Sequence, residues 1–291
     1  MIKSGKSHDA FTATFLNLIL LIQAIMVIYP IAFTISSAFS KSNSLSSSAL
    51  VPFIYPKSPS GESMGPSLYQ FKRLFTESMY GYWYLNTLKI AVMNTLITVF
   101  VCSTAGYIFS RFKFPLKKPI MASMIILQMF PSFIGMVATY VILMRINALN
   151  THWGLVLVYT TGSIPYNTWL MKGYYDTVSK DIAEAAYVDG CTPFSTYIRI
   201  IIPTVKPQLI FLTLTSFTGP WMDFIFPKLI LRSEDKKTLA VGLYEMINGR
   251  SADKFTMFAA GALLVAVPFI IIFMAGQKQL LVSLAGTSGK E

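Results

Sequence analysis

Cysteine, histidine and charge are all scarce in this chain of 291 residues. It holds two cysteines and two histidines, and Asp, Glu, Lys and Arg together make up only 13% of it. Cys102 lies inside an apolar run and Cys191 in a polar stretch, so no disulfide framework is indicated. His8 and His152 form no His-Glu-x-x-His pair, and no Cys/His ligand spacing occurs, which leaves no metal site of those kinds. There is no Gly-x-Ser-x-Gly elbow for a nucleophilic serine. Gly5-Lys6-Ser7 ends like a phosphate-binding loop, but no glycine stands five residues before Gly5, so the loop that would wrap phosphates is missing. No catalytic residue and no metal ligand is therefore assigned, and the chain is not read as an enzyme. Acidic residues are outnumbered by basic ones, 13 to 24, for a formal charge of +11. The cations are scattered between apolar runs with no basic stripe, which argues against a nucleic-acid partner and for anionic lipid headgroups and neighbouring subunits.

What is abundant is apolar sequence. The hydrophobic fraction is 54% and the mean hydropathy +0.55, whereas an ordinary soluble domain carries about 25% charged residues. Several runs reach the ~20 residues that cross a bilayer as helix. Hydrocarbon leaves backbone polar groups no outside partner, so the chain reads as an all-α polytopic membrane protein of one domain, 1–291. Six spans are expected at about 11–39, 85–109, 120–144, 153–171, 203–231 and 257–275, the first retained rather than cleaved as a signal peptide. Pro30 is a possible kink in the first, and Gly162 with Pro165 are read as breaking the fourth. Residues 40–82, rich in Ser, Pro and Gly, are expected to be an irregular external loop, and Tyr80, Tyr82, Trp83 and Tyr84 an interfacial aromatic belt. No tandem repeat is visible.

Orientation rests on one short turn. Arg111, Lys113, Lys117 and Lys118 crowd between two apolar runs and mark that turn as cytoplasmic. The whole-chain tally does not decide, because this orientation puts 12 Lys and Arg inside, 11 outside and Lys89 within a span. Six spans then leave both termini in the cytoplasm.

The polar island at 172–202 is organised by local backbone chemistry. Asp181 and Glu184 have the spacing of a capping box, which predicts a helix starting near Ile182. Gly190 is the natural left-handed stop, and Thr192-Pro193 reads as N-cap and first residue of a second helix. Ala185 and Ala186 would leave one face of the first helix nearly bare for another surface to approach. Alanines are also plain helix formers, and Glu184 could serve only its cap.

Glu184-Ala185-Ala186, then Gly190, then Ile200-Ile201-Ile202-Pro203 resemble the cytoplasmic motif of binding-protein-dependent ABC importer permeases. Cys191, where alanine is usual, and Ile202, where leucine is usual, are conservative departures. The segments Gln128-Met129-Phe130-Pro131, Ala148-Leu149-Asn150-Thr151, Trp169-Leu170-Met171-Lys172-Gly173-Tyr174-Tyr175, Thr238-Leu239-Ala240-Val241-Gly242 and Phe258-Ala259-Ala260 are similar to the smaller membrane subunit of maltose/maltodextrin importers, as is the ending from Leu280 to Lys290. Ser179 stands where many sugar permeases have proline.

The resemblance implies a type I ABC importer permease in a bacterial inner or plasma membrane. Its implied partners are a second permease subunit in a heterodimer, two ATPase subunits that bind ATP and Mg, an extracytoplasmic sugar-binding protein and membrane lipid; this chain needs no cofactor. Glu184, Ala185, Ala186, Asp189 and Gly190 would form the coupling helix against the ATPase, Glu184 pairing with an arginine there. Asn248, Gly249 and Arg250 would form a scoop entering the binding protein, and Gly286, Thr287, Ser288, Gly289 and Lys290 would contact the ATPase subunits. No substrate ligand is assigned. Two alternatives stay open: a permease for another solute, such as a different oligosaccharide or glycerol phosphate, and a stand-alone secondary carrier. For the carrier Asp223 is the one embedded carboxylate, and its plainer reading is a helix-end or inter-subunit pair; Trp221 is more simply a packing residue than a sugar platform.

Overall fold

Long apolar runs that must satisfy their own backbone hydrogen bonds become helices, and a computed structural model shows an all-helical chain. It describes residues 5–43, 51–58, 60–131, 133–248 and 254–288, with side chains described from 12 to 277 among these. In order come α1 (Gly5–Ala38), α2 (Tyr69–Thr76), α3 (Tyr80–Arg111), α4 (Lys117–Gln128), α5 (Gly135–Arg145), α6 (His152–Thr177), α7 (Asp181–Val188) and α8 (Pro193–Thr196). A π turn (Tyr197–Ile201) leads into α9 (Ile202–Thr204), α10 (Lys206–Met222) and α11 (Ile225–Ile230). A 3-10 turn (Glu234–Lys236), α12 (Leu239–Asn248) and α13 (Phe255–Ser288) complete the order. Among the described residues the only β contact is an isolated bridge between Lys57 and Ser63.

Thr12–Ala38, Tyr80–Arg111 and Phe255–Gln277 are each long and apolar enough to cross a membrane, and a fourth crossing results if Pro193–Thr204 and Lys206–Met222 are one span bent by 80°. The chain is an all-α, multi-pass membrane protein. The third expected span is two helices, because Pro131 has no N–H to continue α4 and disfavours helical geometry at the residue before it. The fourth is the reverse case: α6 runs unbroken through Gly162 and Pro165. The fifth stops at Met222, where Asp223 turns to extended backbone. Residues 239–248, expected as loop, form α12.

The chain divides into two compact units. One comprises Met1–Tyr80 and Leu243–Ala266. Here the described residues between 40 and 80 depart from the irregular loop expected of residues 40–82 by their composition. Gln70 is fully buried and donates from Nε2 to the Ser42 carbonyl at 2.7 Å, and Thr256 donates to the same carbonyl at 2.6 Å. Leu74 of α2 is fully buried, and Tyr80 donates its hydroxyl to the Gly261 carbonyl at 2.9 Å. Tyr80 is therefore a core residue and not part of an interfacial belt. Pro30 sits inside α1, where Thr34 donates its hydroxyl to the Pro30 carbonyl at 2.8 Å.

The second unit comprises Gly81–Gly242 and Val267–Glu291. In it α3 and α6 run parallel, Asn94 meeting Thr160 and Arg111 meeting Tyr175, and they are joined by two apolar clusters with a polar layer between. One cluster gathers Ile90, Leu143, Ala148, Leu155, Val156, Ile230 and Leu231. Asn150, at positive φ, fastens that end: its carbonyl oxygen Oδ1 accepts from the Arg232 and Ser233 amides at 3.0 and 3.1 Å. Thr151 caps α6 by accepting from the Gly154 amide at 3.2 Å. In the polar layer, buried Asn94 donates to the Ser216 carbonyl at 2.8 Å and accepts from Thr160 at 3.2 Å. Interhelical bonds of this kind contribute about 0.6–2 kcal/mol each in a membrane. Trp83 is buried, donates to the Glu234 carbonyl at 3.1 Å and covers Gly242, where a Cβ would lie 2.1 Å from the indole. Of the aromatic group at the start of α3, Tyr82 faces outward.

Candidate functional site

The second apolar cluster carries the elbow built from 179 to 205. Ser179, not an Asp181–Glu184 capping box, closes the start of α7: its Oγ accepts from the Asp181 amide at 3.2 Å and donates to Asp181 Oδ2 at 2.9 Å. Lys180 is already helical, so Asp181 is the first residue inside the helix and cannot act as its cap. At the other end Gly190 has φ +82°. The Cys191 amide bonds to the Ala186 carbonyl at 2.9 Å and the Gly190 amide to the Tyr187 carbonyl at 3.0 Å, the paired bonds of a Schellman motif. Thr192 accepts from the Ser195 amide at 3.3 Å with Pro193 at the first helical position, as the sequence predicts.

Helical periodicity separates the two faces of α7 in a way the paired alanines do not suggest. Ala183 and Ala186, three apart, are buried; Ala185 turns outward with Glu184. The inward face meets Tyr197, Ile201 and Val205 from the π turn and its exit, and all pack on Cys102, Tyr107, Met171, Tyr175, Val178 and Leu212. Ser103 on α3 sits 2.8 Å from the hydroxyls of both Tyr175 and Tyr197. Arg111 donates to the carbonyls of Tyr175 at 3.0 Å and Val178 at 2.6 Å, capping the end of α6. Gly106 lets α6 close in, since a Cβ there would stand 2.6 Å from Met171. Ser110 donates to Asp176 at 2.6 Å and Lys172 pairs with the same carboxylate at 2.5 Å. The elbow is thus fastened to α3 and α6 by ring packing, three hydroxyls and a guanidinium.

The outward rim is different. Val188 is 87% exposed and Phe194 75%, with Ile182 and Tyr187 also exposed. Glu184 and Asp189 are exposed beside them, and neither carboxylate has an ion pair or hydrogen bond within the described chain. Large apolar side chains beside free carboxylates, on a rigid back, make a surface suited to docking against a basic partner.

A family model described as binding-protein-dependent transport system inner membrane component matches residues 102–280, more than half of the chain. The chain belongs to this family. As an inner-membrane permease it is a transport subunit and not itself an enzyme. The permease is 39% identical over 288 residues to the maltodextrin transport system permease protein MdxG of Bacillus subtilis, covering 97% of this chain and 100% of that one. It is 37% identical to the maltodextrin transport system permease protein MalD of Streptococcus pneumoniae, covering 99% of each. It is also 35% identical to the galactooligosaccharides transport system permease protein GanQ of Bacillus subtilis, over 99% of this chain and 100% of that one. In fold it is similar to a chain in the crystal structure of a bacterial ABC transporter involved in the import of the acidic polysaccharide alginate, with a TM-score of 0.79 at 20% identity over 94% of this chain and 98% of that one.

Asn248 ends α12 and donates to the Tyr244 carbonyl at 3.1 Å, while Gly249 and Arg250 lie outside the described residues. Gly286, Thr287 and Ser288 continue α13 as helix, and Gly289 and Lys290 lie outside the described residues. Asp223 is a helix-end group: Oδ1 accepts from the Ile225 amide at 2.9 Å and Oδ2 from the Tyr159 hydroxyl at 2.9 Å. Trp221 is buried with Tyr84, Phe217 and Phe269 around it at 5.3–5.9 Å. Sequence reasoning misses the anchoring roles of Ser103, Arg111, Tyr175 and Tyr197, and with them the polar stripe of Tyr159, Ser163 and Asn167 on α6. The four-residue spacing of that stripe was its one available signal.

Proposed function

We propose that this chain is the smaller permease subunit of an ABC importer for maltodextrin-like oligosaccharides, and that its elbow couples ATP-driven closure of the ATPase subunits to alternating access. In this reading α7 is the coupling helix and docks through Glu184, Ala185, Asp189 and Gly190, with Ala186 holding its back against the spans. The six crossings are α1, α3, α4 with α5, α6, α10 with α11, and α13, both termini cytoplasmic. A second permease completes the pathway, a binding protein meets the loop containing Asn248, Gly249 and Arg250, and the tail at 286–290 reaches the ATPase pair.

The observation that carries the reading is the contrast between the two faces of α7: unpaired Glu184 and exposed Val188 outside, the Tyr107–Tyr175–Tyr197 cluster inside. A docked motor can move the spans only if the docking element does not yield first, and coupling is then a free-energy linkage between the sites. The maltodextrin permeases among its relatives, matched over nearly the full length, support the solute class. A proton-coupled carrier is disfavoured because both Asp223 oxygens are already engaged. The 35% identity to a galactooligosaccharide permease keeps that solute as the second reading.

The test is Glu184→Lys in the assembled complex. Losing one side of a desolvated charge pair costs about 2–5 kcal/mol, so sugar-stimulated ATP hydrolysis should fall to background while the subunit still inserts. Full stimulated hydrolysis in that variant sinks the coupling assignment, and uptake assays with maltodextrins and galactooligosaccharides decide the solute.

A further inference from the structure

The stripe on α6 opens onto a cleft inside the second unit. A cavity of about 400 Å³ is bounded by Asn94, Tyr159, Ser163, Asn167, Thr215 and Ser216. A second, of about 560 Å³, continues from the same Tyr159, Gly162 and Ser163 toward Thr139 and Asp223. Together they fall in the size range of small-ligand sites.

Three features of the walls point to a ligand. First, a polar group is buried there without a partner. Ser216 is 7% exposed and its Oγ is buried with no hydrogen bond, and Asn167, 8% exposed, lines the same cavity. A buried hydroxyl left unsatisfied carries a desolvation cost that a ligand's own hydroxyl would relieve. An amide that both donates and accepts, beside a free hydroxyl, matches ligands whose own groups do both. Second, glycine leaves the cleft open from two sides. Gly162 on α6 and Gly219 on α10 both line it, and a Cβ at either would meet nothing within 4 Å. Third, the lining of the smaller cavity holds no charged residue, and the larger holds only Asp223. An anion finds no cation there and one carboxylate, so a phosphate or uronate ligand is disfavoured. Tyr159 and Tyr166 add ring faces to the same lining.

We propose that the cleft between α6 and α10, at Ser163, Asn167 and Ser216, is a site in this subunit for the hydroxyl groups of a neutral oligosaccharide, entered over Gly162 and Gly219. This rests on the importer reading above and adds to it a ligand-contacting surface on this chain and a preference for uncharged sugars.

The experiment uses the full complex in proteoliposomes with radiolabelled maltotriose as probe. Gly162→Ala, Gly162→Val and Gly162→Leu place increasing bulk in the cleft without touching protein atoms at Cβ. Uptake should fall in that order, by at least tenfold for Leu, while Gly81→Leu, a glycine equally free of neighbours but on α3 outside the cleft, transports as wild type. Asn167→Leu should raise the KM for uptake by about tenfold with a smaller change in maximal rate, and Asn167→Gln should recover part of it. Co-purification of the ATPase subunits checks assembly of each variant. Should Gly162→Leu fail to assemble, the KM of Asn167→Leu decides. Wild-type uptake with unaltered kinetics in both Gly162→Leu and Asn167→Leu overturns the site and leaves the importer reading standing. A wild-type complex that takes up no neutral oligosaccharide overturns both. Excess alginate oligosaccharide should leave maltotriose uptake by the full complex unchanged, and competition equal to that of unlabelled maltotriose overturns the preference for uncharged ligands.

Discussion

The ring of Tyr197, in the π turn of the elbow, lies 4.6 Å from the ring of Tyr107 on α3. This one contact joins the elbow to α3, and the Tyr197 hydroxyl repeats the connection through Ser103. A surface helix of eight residues has little stability of its own. Its rigidity is borrowed from such contacts.

Truncation at Tyr197 should therefore uncouple before it unfolds. Tyr197→Phe removes a hydrogen bond worth about 1 kcal/mol, and Tyr197→Ala removes buried ring volume at about 3–5 kcal/mol. The expected order is a slight loss of transport per ATP hydrolysed for Phe and a severe loss for Ala, with ATP hydrolysis persisting in both. Parallel uptake and phosphate-release measurements on the reconstituted complex check this. Equal losses of both rates in Tyr197→Ala would mean that the elbow no longer docks at all, contrary to the transmission role given to the ring contact.

Gly190 offers a cleaner perturbation, because nothing lies within 4 Å of where its Cβ would stand. Within this chain, any effect of a small side chain comes from φ +82° alone. A residue other than glycine in the left-handed region costs about 1–2 kcal/mol, less for asparagine. Stimulated ATP hydrolysis and thermal midpoint should both rank Gly, then Asn, then Ala, then Val. If Ala and Val matched Gly, the Schellman stop would not be what holds α7 at its angle.

The elbow was legible in sequence because its determinants are local. Gly190 and Thr192-Pro193 act on backbone within one helical turn, and the chain around them obeys. Its anchorage was not legible, since Ser103 lies 72 residues from Tyr175 and 94 from Tyr197, and no spacing rule links them. Ala185 and Ala186 misled as a pair: adjacent helical residues point about 100° apart, and burial chose Ala183 as the partner of Ala186. Gly162 and Pro165 looked like breaks, which hid the polar stripe that α6 carries straight through them. Pro131 was taken into a span that it divides. In each case the residue's local tendency was known, and the neighbours that allowed or opposed it were far off in the chain.

The two native cysteines provide a test of orientation that needs no engineering. Cys102 is completely buried in the cluster behind the elbow, whereas Cys191 is partly exposed immediately after Gly190. Thiol modification requires access, so a membrane-impermeant maleimide should label Cys191 alone, and Cys191→Ser should abolish labelling of the native chain. If the elbow faces the cytoplasm, Cys191 should be labelled in inside-out vesicles and spared in right-side-out ones. Assembly with the ATPase subunits should slow the reaction several-fold, since Cys191 adjoins the proposed contact at Asp189 and Gly190. Labelling from the outer face would reverse the membrane orientation of all the helices. An unchanged rate in the assembled complex would instead leave the orientation intact and move the docking contact elsewhere, so the two outcomes separate topology from coupling.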